Sequence, residues 1–351
     1  MKNNMINSIR LSFLIAASAL AFASCNDWTE YESLDVKTPS LEDQNPGLYA
    51  EYVKSLKAYK TGVHKAVFVT FNNIEKTPSK QAEHLTVIPD SVDFISLDNP
   101  TKLNEVIISE MTKVREKGTK VIYDIDYRVF ESEWVQMAKK DPSLTEEDAL
   151  AHFTARTAEM LALCDQFGYD GVTITYPGRS LVSLPEEDLV VYNARQKSFL
   201  DPALAWREAH KSKSFSFIGN AHFLLDENKA ILPLCDYIIM MTDMANNASD
   251  MTIGAMTAVG SGNVPSDRFI AAVQTTRPDD KEMLYGYFGS VDTNGNKVRS
   301  IGGAALWVGL PSDFTRAGLM IRNAQYDYYN QTLVYRYIRE AIAIMNPSPK
   351  N

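Results

Sequence analysis

Short apolar runs alternate along the chain with longer stretches in which apolar residues recur every three or four positions. Leu48, Tyr52, Leu56 and Tyr59 have the helical spacing, and Ala66-Val67-Phe68-Val69-Thr70-Phe71 then reads as a strand. Val92 to Leu97 is a second strand-like run and Lys120-Val121-Ile122-Tyr123-Asp124-Ile125-Asp126 a third, with a helix predicted between them over about 102–116, closed by Gly118. A long helix is predicted over 145–167. Thr145-Glu146-Glu147-Asp148 has the form of a capping box at its start, and Gly168 stands where a C-terminal glycine cap belongs. The fourth run is Tyr169 to Tyr176, followed by a helix over about 189–211 with a break expected at Pro202. Ser214 to Asn220, Asp236 to Thr242, Phe269 to Gln274 and Gly303 to Val308 are runs five to eight. Val334, Ile338, Ala341, Ile342 and Met345 share one face of a closing helix. Eight strands alternating with helices predict an α/β chain closed into a (β/α)8 TIM barrel. An open doubly wound sheet has similar content, and the count of eight favours the barrel.

The amino terminus departs from this pattern. Lys2 and Arg10 precede an apolar stretch, Leu11 to Ala23, too short to span a bilayer comfortably. It ends Phe22-Ala23-Ser24-Cys25, which resembles the lipoprotein box of bacteria, with Phe22 where Leu is preferred; an ordinary signal peptide with a chance cysteine is the alternative. Residues 26–46 are acidic, carry Pro39 and Pro46, and show no periodicity. Acidic residues directly after the lipid cysteine resemble the surface-export signal of lipoproteins from Bacteroides-like bacteria. The expected organisation is a signal peptide over 1–24, a tether over 25–46 lipidated at Cys25, and a barrel over 47–351. The expected location is the outer membrane, facing outward, held by lipid. Cys164 and Cys235 remain; they could pair, but two separate buried thiols fit their apolar settings better.

The formal charge is −9, which argues against a general nucleic-acid binder. The histidines His64, His84, His152, His210 and His222 are scattered, none at metal spacing, and no phosphate-binding or dinucleotide-binding glycine loop appears. No metal or cofactor is expected. In barrels of this kind chemistry sits at the carboxyl ends of the strands. Those ends offer Asn72, Asp98, Asp126, Tyr176, Asn220, His222, Asp243, Gln274 and Trp307.

The segment Asp170-Gly171-Val172-Thr173-Ile174-Thr175-Tyr176-Pro177 resembles the fourth strand of family 18 glycoside hydrolases, the chitinases and endo-β-N-acetylglucosaminidases. That family writes Asp-Gly, apolar, Asp, apolar, Asp, any residue, Glu. Its Glu protonates the glycosidic oxygen, and the adjacent Asp orients the substrate's acetamido group as nucleophile, an exception to the two-carboxylate scheme. Here the three carboxylate places hold Thr173, Thr175 and Pro177. A hydroxyl has no proton to give near neutral pH and proline has no acid at all. The resemblance continues at Met240-Met241-Thr242-Asp243, with Thr242 for the family's acetamido-binding Tyr, and at Gly302-Gly303-Ala304-Ala305-Leu306-Trp307, read as strand eight with the Trp as sugar floor.

The resemblance implies a barrel that keeps the glycan site and loses the chemistry. Trp307 is the expected sugar platform, with Tyr176 as a second aromatic contact. Asp126 and Asp243 are the expected hydroxyl acceptors, and Asn72 and Gln274 amide contacts. Each of these has a structural alternative, as a core or packed aromatic or as a link between strand tips. The expected partners are N-glycan or GlcNAc-containing oligosaccharide, an outer-membrane importer complex of the starch-utilisation type, and the membrane through the lipid. The alternatives are an active endoglycosidase with a relocated acid, for which Asp126, Glu186 and Glu187 are candidates, and an interaction lipoprotein with no sugar site.

Overall fold

The computed structural model describes residues 41–182 and 184–347. Cys25 and the expected signal peptide lie outside them. The chain divides into two units at Glu51/Tyr52, and the larger, from Tyr52 onward, holds the barrel. Elements are numbered in chain order.

The barrel is closed by eight parallel strands: β1 (Ala66–Phe71), β2 (Phe94–Leu97), β3 (Lys120–Asp126), β4 (Gly171–Tyr176), β5 (Ser214–Gly219), β6 (Tyr237–Met240), β7 (Phe269–Gln274) and β10 (Arg316–Arg322). The remaining two, β8 (Tyr287–Val291) and β9 (Lys297–Arg299), form a separate antiparallel hairpin in the loop after β7. Besides a four-residue helical turn at Leu41–Gln44, the α-helices are α1 (Pro46–Thr61), α2 (Glu105–Glu116), α3 (Tyr127–Lys140), α4 (Glu146–Gln166), α5 (Glu186–Ala209), α6 (Ala248–Gly260), α7 (Ser300–Val308) and α8 (Arg336–Met345). Strands buried on both faces need continuous apolar runs, and β1, β2, β4, β5 and β7 are buried at every position.

Local chemistry sets the ends of the long helix. Thr145 and Asp148 close the predicted capping box on α4: the Thr145 backbone N–H donates to Asp148 Oδ2 at 2.8 Å. Gly168 takes φ +65° just past that helix, as a glycine cap requires. Helix α5 runs through Pro202 without ending, so the expected break is not there. Cys164 and Cys235 are both free and buried, as expected.

The largest departure from the sequence reading is the eighth strand. Gly303 to Val308 lies in helix α7, and the barrel is closed by Arg316–Arg322 instead. An apolar run of small residues reads equally as buried helix or strand. The true strand was disguised by an arginine at each end and by Gly318 within it.

The core has two layers. One cluster, including Phe68, Phe94, Ile122, Ile218, Ile239, Ile270 and Met320, fills the barrel interior. There the ring of Phe68 stacks on Phe94 with centroids 4.1 Å apart, and Tyr237 meets both edge-on. The larger cluster, including Tyr176 and Trp307, lies between the strands and the helices.

Candidate functional site at the barrel mouth

The interior cluster fixes which side chains reach the mouth. Strand residues alternate with period two. From Phe68, Phe94, Ile122 and Met320 the next inward positions toward the carboxyl ends are Thr70, Ser96, Asp124 and Arg322. The inward layer thus changes from apolar to polar within one step. Thr70, Ser96, Asp98, Asp124, Asp126 and Arg322 line one cavity of about 300 Å³, with Met320, Pro100 and Phe130 among its apolar walls.

Asp124 is its central group. Register places Asp124 beside Thr173 and Asp126 beside Thr175. The Thr173 hydroxyl donates to Asp124 Oδ1 at 2.7 Å, and the Thr175 hydroxyl lies 2.8 and 2.9 Å from Oδ1 and Oδ2. Burial pushes the Asp124 carboxyl up to about 6, assisted by neighbouring Asp126 and opposed by the two threonine hydroxyls and Arg322. Arg322 Nε donates to Asp243 Oδ1 at 3.0 Å, tying the tip of β10 to the loop after β6. Asp126 accepts from the Arg128 backbone N–H at 2.9 Å, so it caps α3, and it pairs with the Arg128 guanidinium.

The expected site residues divide into those at the mouth and those elsewhere. Thr173 and Thr175 face the interior, where the family's acids would stand. Pro177 follows them, and its carbonyl accepts from Asn220 Nδ2 at 2.9 Å. Asp126 lines the cavity, and Asp243 reaches Arg322 on its wall. Gln274 ends β7, buried, in register with Arg322. Asn72 is exposed, accepts from Asn99 Nδ2 at 3.0 Å, and does not line this cavity.

Two aromatic expectations are corrected. Trp307 is on a helix, is 1% exposed, donates its indole N–H to Thr252 Oγ1 at 2.9 Å and carries the Arg316 guanidinium 4.5 Å from its ring centre. It is a packing residue between barrel and helices, and no sugar can stack on it there. Tyr176 points outward from β4 by the same alternation that turns Thr175 inward. Its ring packs against Tyr127, Tyr192 and Phe199. Trp134 and Trp206 are buried packing residues.

Thr242 donates to the Ala272 carbonyl at 2.7 Å, a link between the loop after β6 and β7. Glu186 and Glu187 open helix α5 and do not line the mouth cavity. In the segment 285–288, Phe288 is buried and the Arg277 guanidinium lies 3.8 Å from the Tyr285 ring centre. A second cavity of about 240 Å³ lies outside the strand ring, between the ends of β5 and β6 and helix α6, and His222 lines it.

The sequence reading did not assign Asp124 or Arg322 to the site. Asp124 was legible, because it shares a strand face with Asp126 two residues on. Arg322 was hidden by the misread eighth strand.

The architecture can be compared with known proteins. A variant of BT1044 shares 18% identity and a TM-score of 0.57, over 87% of this chain and 95% of that one. The endo-β-N-acetylglucosaminidase from Cordyceps militaris shares 14% identity and a TM-score of 0.54, over 84% of this chain and 95% of that one. A variant of the same enzyme in complex with fucosyl-N-acetylglucosamine-Asn gives 13% and 0.55, with the same coverage. At these identities the likeness shows the fold. No curated protein matches the chain by sequence. The sequence model of glycoside hydrolase family 18, BT1044-like, matches residues 29–344, and the chain therefore belongs to that family.

Proposed function

We propose that this chain is a lipid-anchored glycan-binding protein of the bacterial cell surface. It captures N-glycan or GlcNAc-containing oligosaccharide at the barrel mouth without cleaving it and passes it to an outer-membrane importer. The observation that carries this reading is the fourth strand. The two hydroxyls at acid places are spent on Asp124, and the place of the proton donor is Pro177. General acid help is worth roughly 10²–10⁴-fold in rate, so its loss turns a hydrolase into a holder of the same ligand. The complex of the Cordyceps militaris relative with fucosyl-N-acetylglucosamine-Asn supports the choice of glycan class.

The test is calorimetric titration of the chain with a high-mannose N-glycopeptide, followed by mass analysis of the recovered glycan. A saturable isotherm with intact glycan is the expected result. Cleavage between the two core GlcNAc residues overturns the non-catalytic reading.

One observation favours a second reading. Asp124, with its carboxyl pushed up to about 6, is partly protonated in mildly acidic solution and lines the cavity, as a relocated acid would. In that case glycan cleavage appears below about pH 6 and is lost in Asp124→Asn.

A further inference from the structure

The mouth cavity is short of free positive charge. Arg322 is held by Asp243 at 3.0 Å. Arg128 lies 3.0 Å from both Asp126 oxygens, and Arg156 donates to Glu133 at 2.9 Å and also to Glu159. The two arginines that line the cavity, Arg156 and Arg322, therefore already have carboxylates. Asp98 and Asp124 form no ion pair among the described residues; burial pushes both carboxyls up, and Arg322 only opposes that rise. Asp124 is answered only by hydroxyls, and Asp98 is exposed on the wall. Arg277, in the loop after β7, does not line the cavity and lies over Tyr285.

This arrangement treats two kinds of glycan end differently. A sugar hydroxyl entering the cavity meets carboxylate oxygens that accept it in charge-assisted hydrogen bonds. A carboxylate or phosphate meets like charge. Within this cavity it gains a cation only by pulling Arg156 or Arg322 from its partner, which leaves that partner's charge unanswered.

We propose that the barrel mouth selects uncharged glycan ends and rejects sialylated or phosphorylated ones, with Asp98 and Asp124 as the determinants. This inference rests on the glycan-binding reading above and adds the class of glycan end admitted.

The experiment compares three probes on the full chain by calorimetry: a high-mannose glycopeptide, an asialo biantennary N-glycopeptide, and its sialylated counterpart. At low salt at least one neutral probe binds, and the sialylated probe binds at least about tenfold more weakly than its asialo form. The gap shrinks as salt rises from about 0.05 to 0.5 M, because screening acts on charge and not on the bulk of the extra sugar. It shrinks also in Asp98→Asn, an exposed substitution that leaves the core untouched. Asp124→Asn is the second variant, checked first for an unchanged melting profile. Sialylated binding equal to or tighter than asialo binding at low salt overturns this inference alone. So does a gap that neither salt nor Asp98→Asn changes, since that is steric exclusion. Absence of binding by all three probes overturns the glycan-binding reading, and the selectivity with it.

Discussion

At Thr175 a single hydroxyl meets the carboxyl buried in the barrel interior and favours its charged form. It is 2.8 and 2.9 Å from the two oxygens of Asp124, whose carboxyl is raised from 3.8 to about 6. A carboxyl raised on folding binds more protons in the native state than in the unfolded one. Stability therefore falls as pH rises through the window between the two values, here from about 4 to about 6. Thr175→Asp places a second carboxylate against the first, and two such groups in contact cannot both ionise cheaply. The expected outcome is a variant whose urea midpoint drops further as pH is raised from about 5 to 8, over a window extending above that of the parent chain. Thr175→Val, which removes a donor to the charged form, costs about 1–3 kcal/mol and lifts the Asp124 carboxyl further, but it adds no second titrating carboxyl, so its pH dependence exceeds the parent's by less than that of Thr175→Asp. A midpoint for Thr175→Asp that tracks the parent at every pH sinks the argument.

Trp307 makes the complementary point at the same scale. Its indole is buried against Arg316 and bonded to Thr252. Trp307→Ala should cost about 3–5 kcal/mol of stability, while Trp307→Phe, if it folds, should leave glycan affinity within about twofold, because the residue is remote from the mouth. A calorimetric loss of binding in a well-folded Trp307→Phe would restore the Trp as a sugar contact. The residue's type suggested a platform; its burial could not be read from sequence once its element was misassigned.

At the scale of elements, the strands were legible where the apolar run was long and cleanly ended. Phe269–Gln274 and Lys120–Asp126 have the bounds their sequence implies. Helices α3 and α6 were not foreseen as elements; α3 starts on the residue after β3 with no intervening turn signal. The strand that closes the barrel was missed for a reason that is itself structural. Gly318 looks like a breaker, yet it is there because β10 and β1 approach too closely for a side chain. A Cβ at position 318 would lie 1.9 Å from the Ala66 carbonyl oxygen, a backbone atom that cannot swing aside. Gly318→Ala should therefore part β10 from β1, the seam that closes the ring, and cost more than about 3 kcal/mol. Thermal unfolding of Gly318→Ala beside Gly254→Ala checks it. A Cβ at position 254, in helix α6, meets nothing within 4 Å. Equal melting temperatures for the two variants would remove the close-approach argument.

At the scale of the molecule, the candidate site was half legible because half of it is written in one strand and half across several. Thr173, Thr175 and Pro177 could be judged from one segment by period two. The Arg322–Asp243 pair joins residues 79 positions apart and needs the closed barrel to be seen. The proposed role adds a requirement of place. A protein that hands glycan to an importer has to stay at the membrane, and among the described residues no helix is long and apolar enough to cross one. In this proposal the attachment falls to acyl chains on Cys25, whose buried methylenes each contribute about 0.8 kcal/mol. Cys25→Ser should move the chain from the membrane fraction to the soluble one while its glycan affinity stays unchanged. Protease added to intact cells should digest the parent protein if it faces outward. If Cys25→Ser sediments with membranes as the parent does, the lipid anchor is wrong. A parent protein at the membrane but untouched by protease keeps the anchor and reverses the orientation, which would place glycan capture after import.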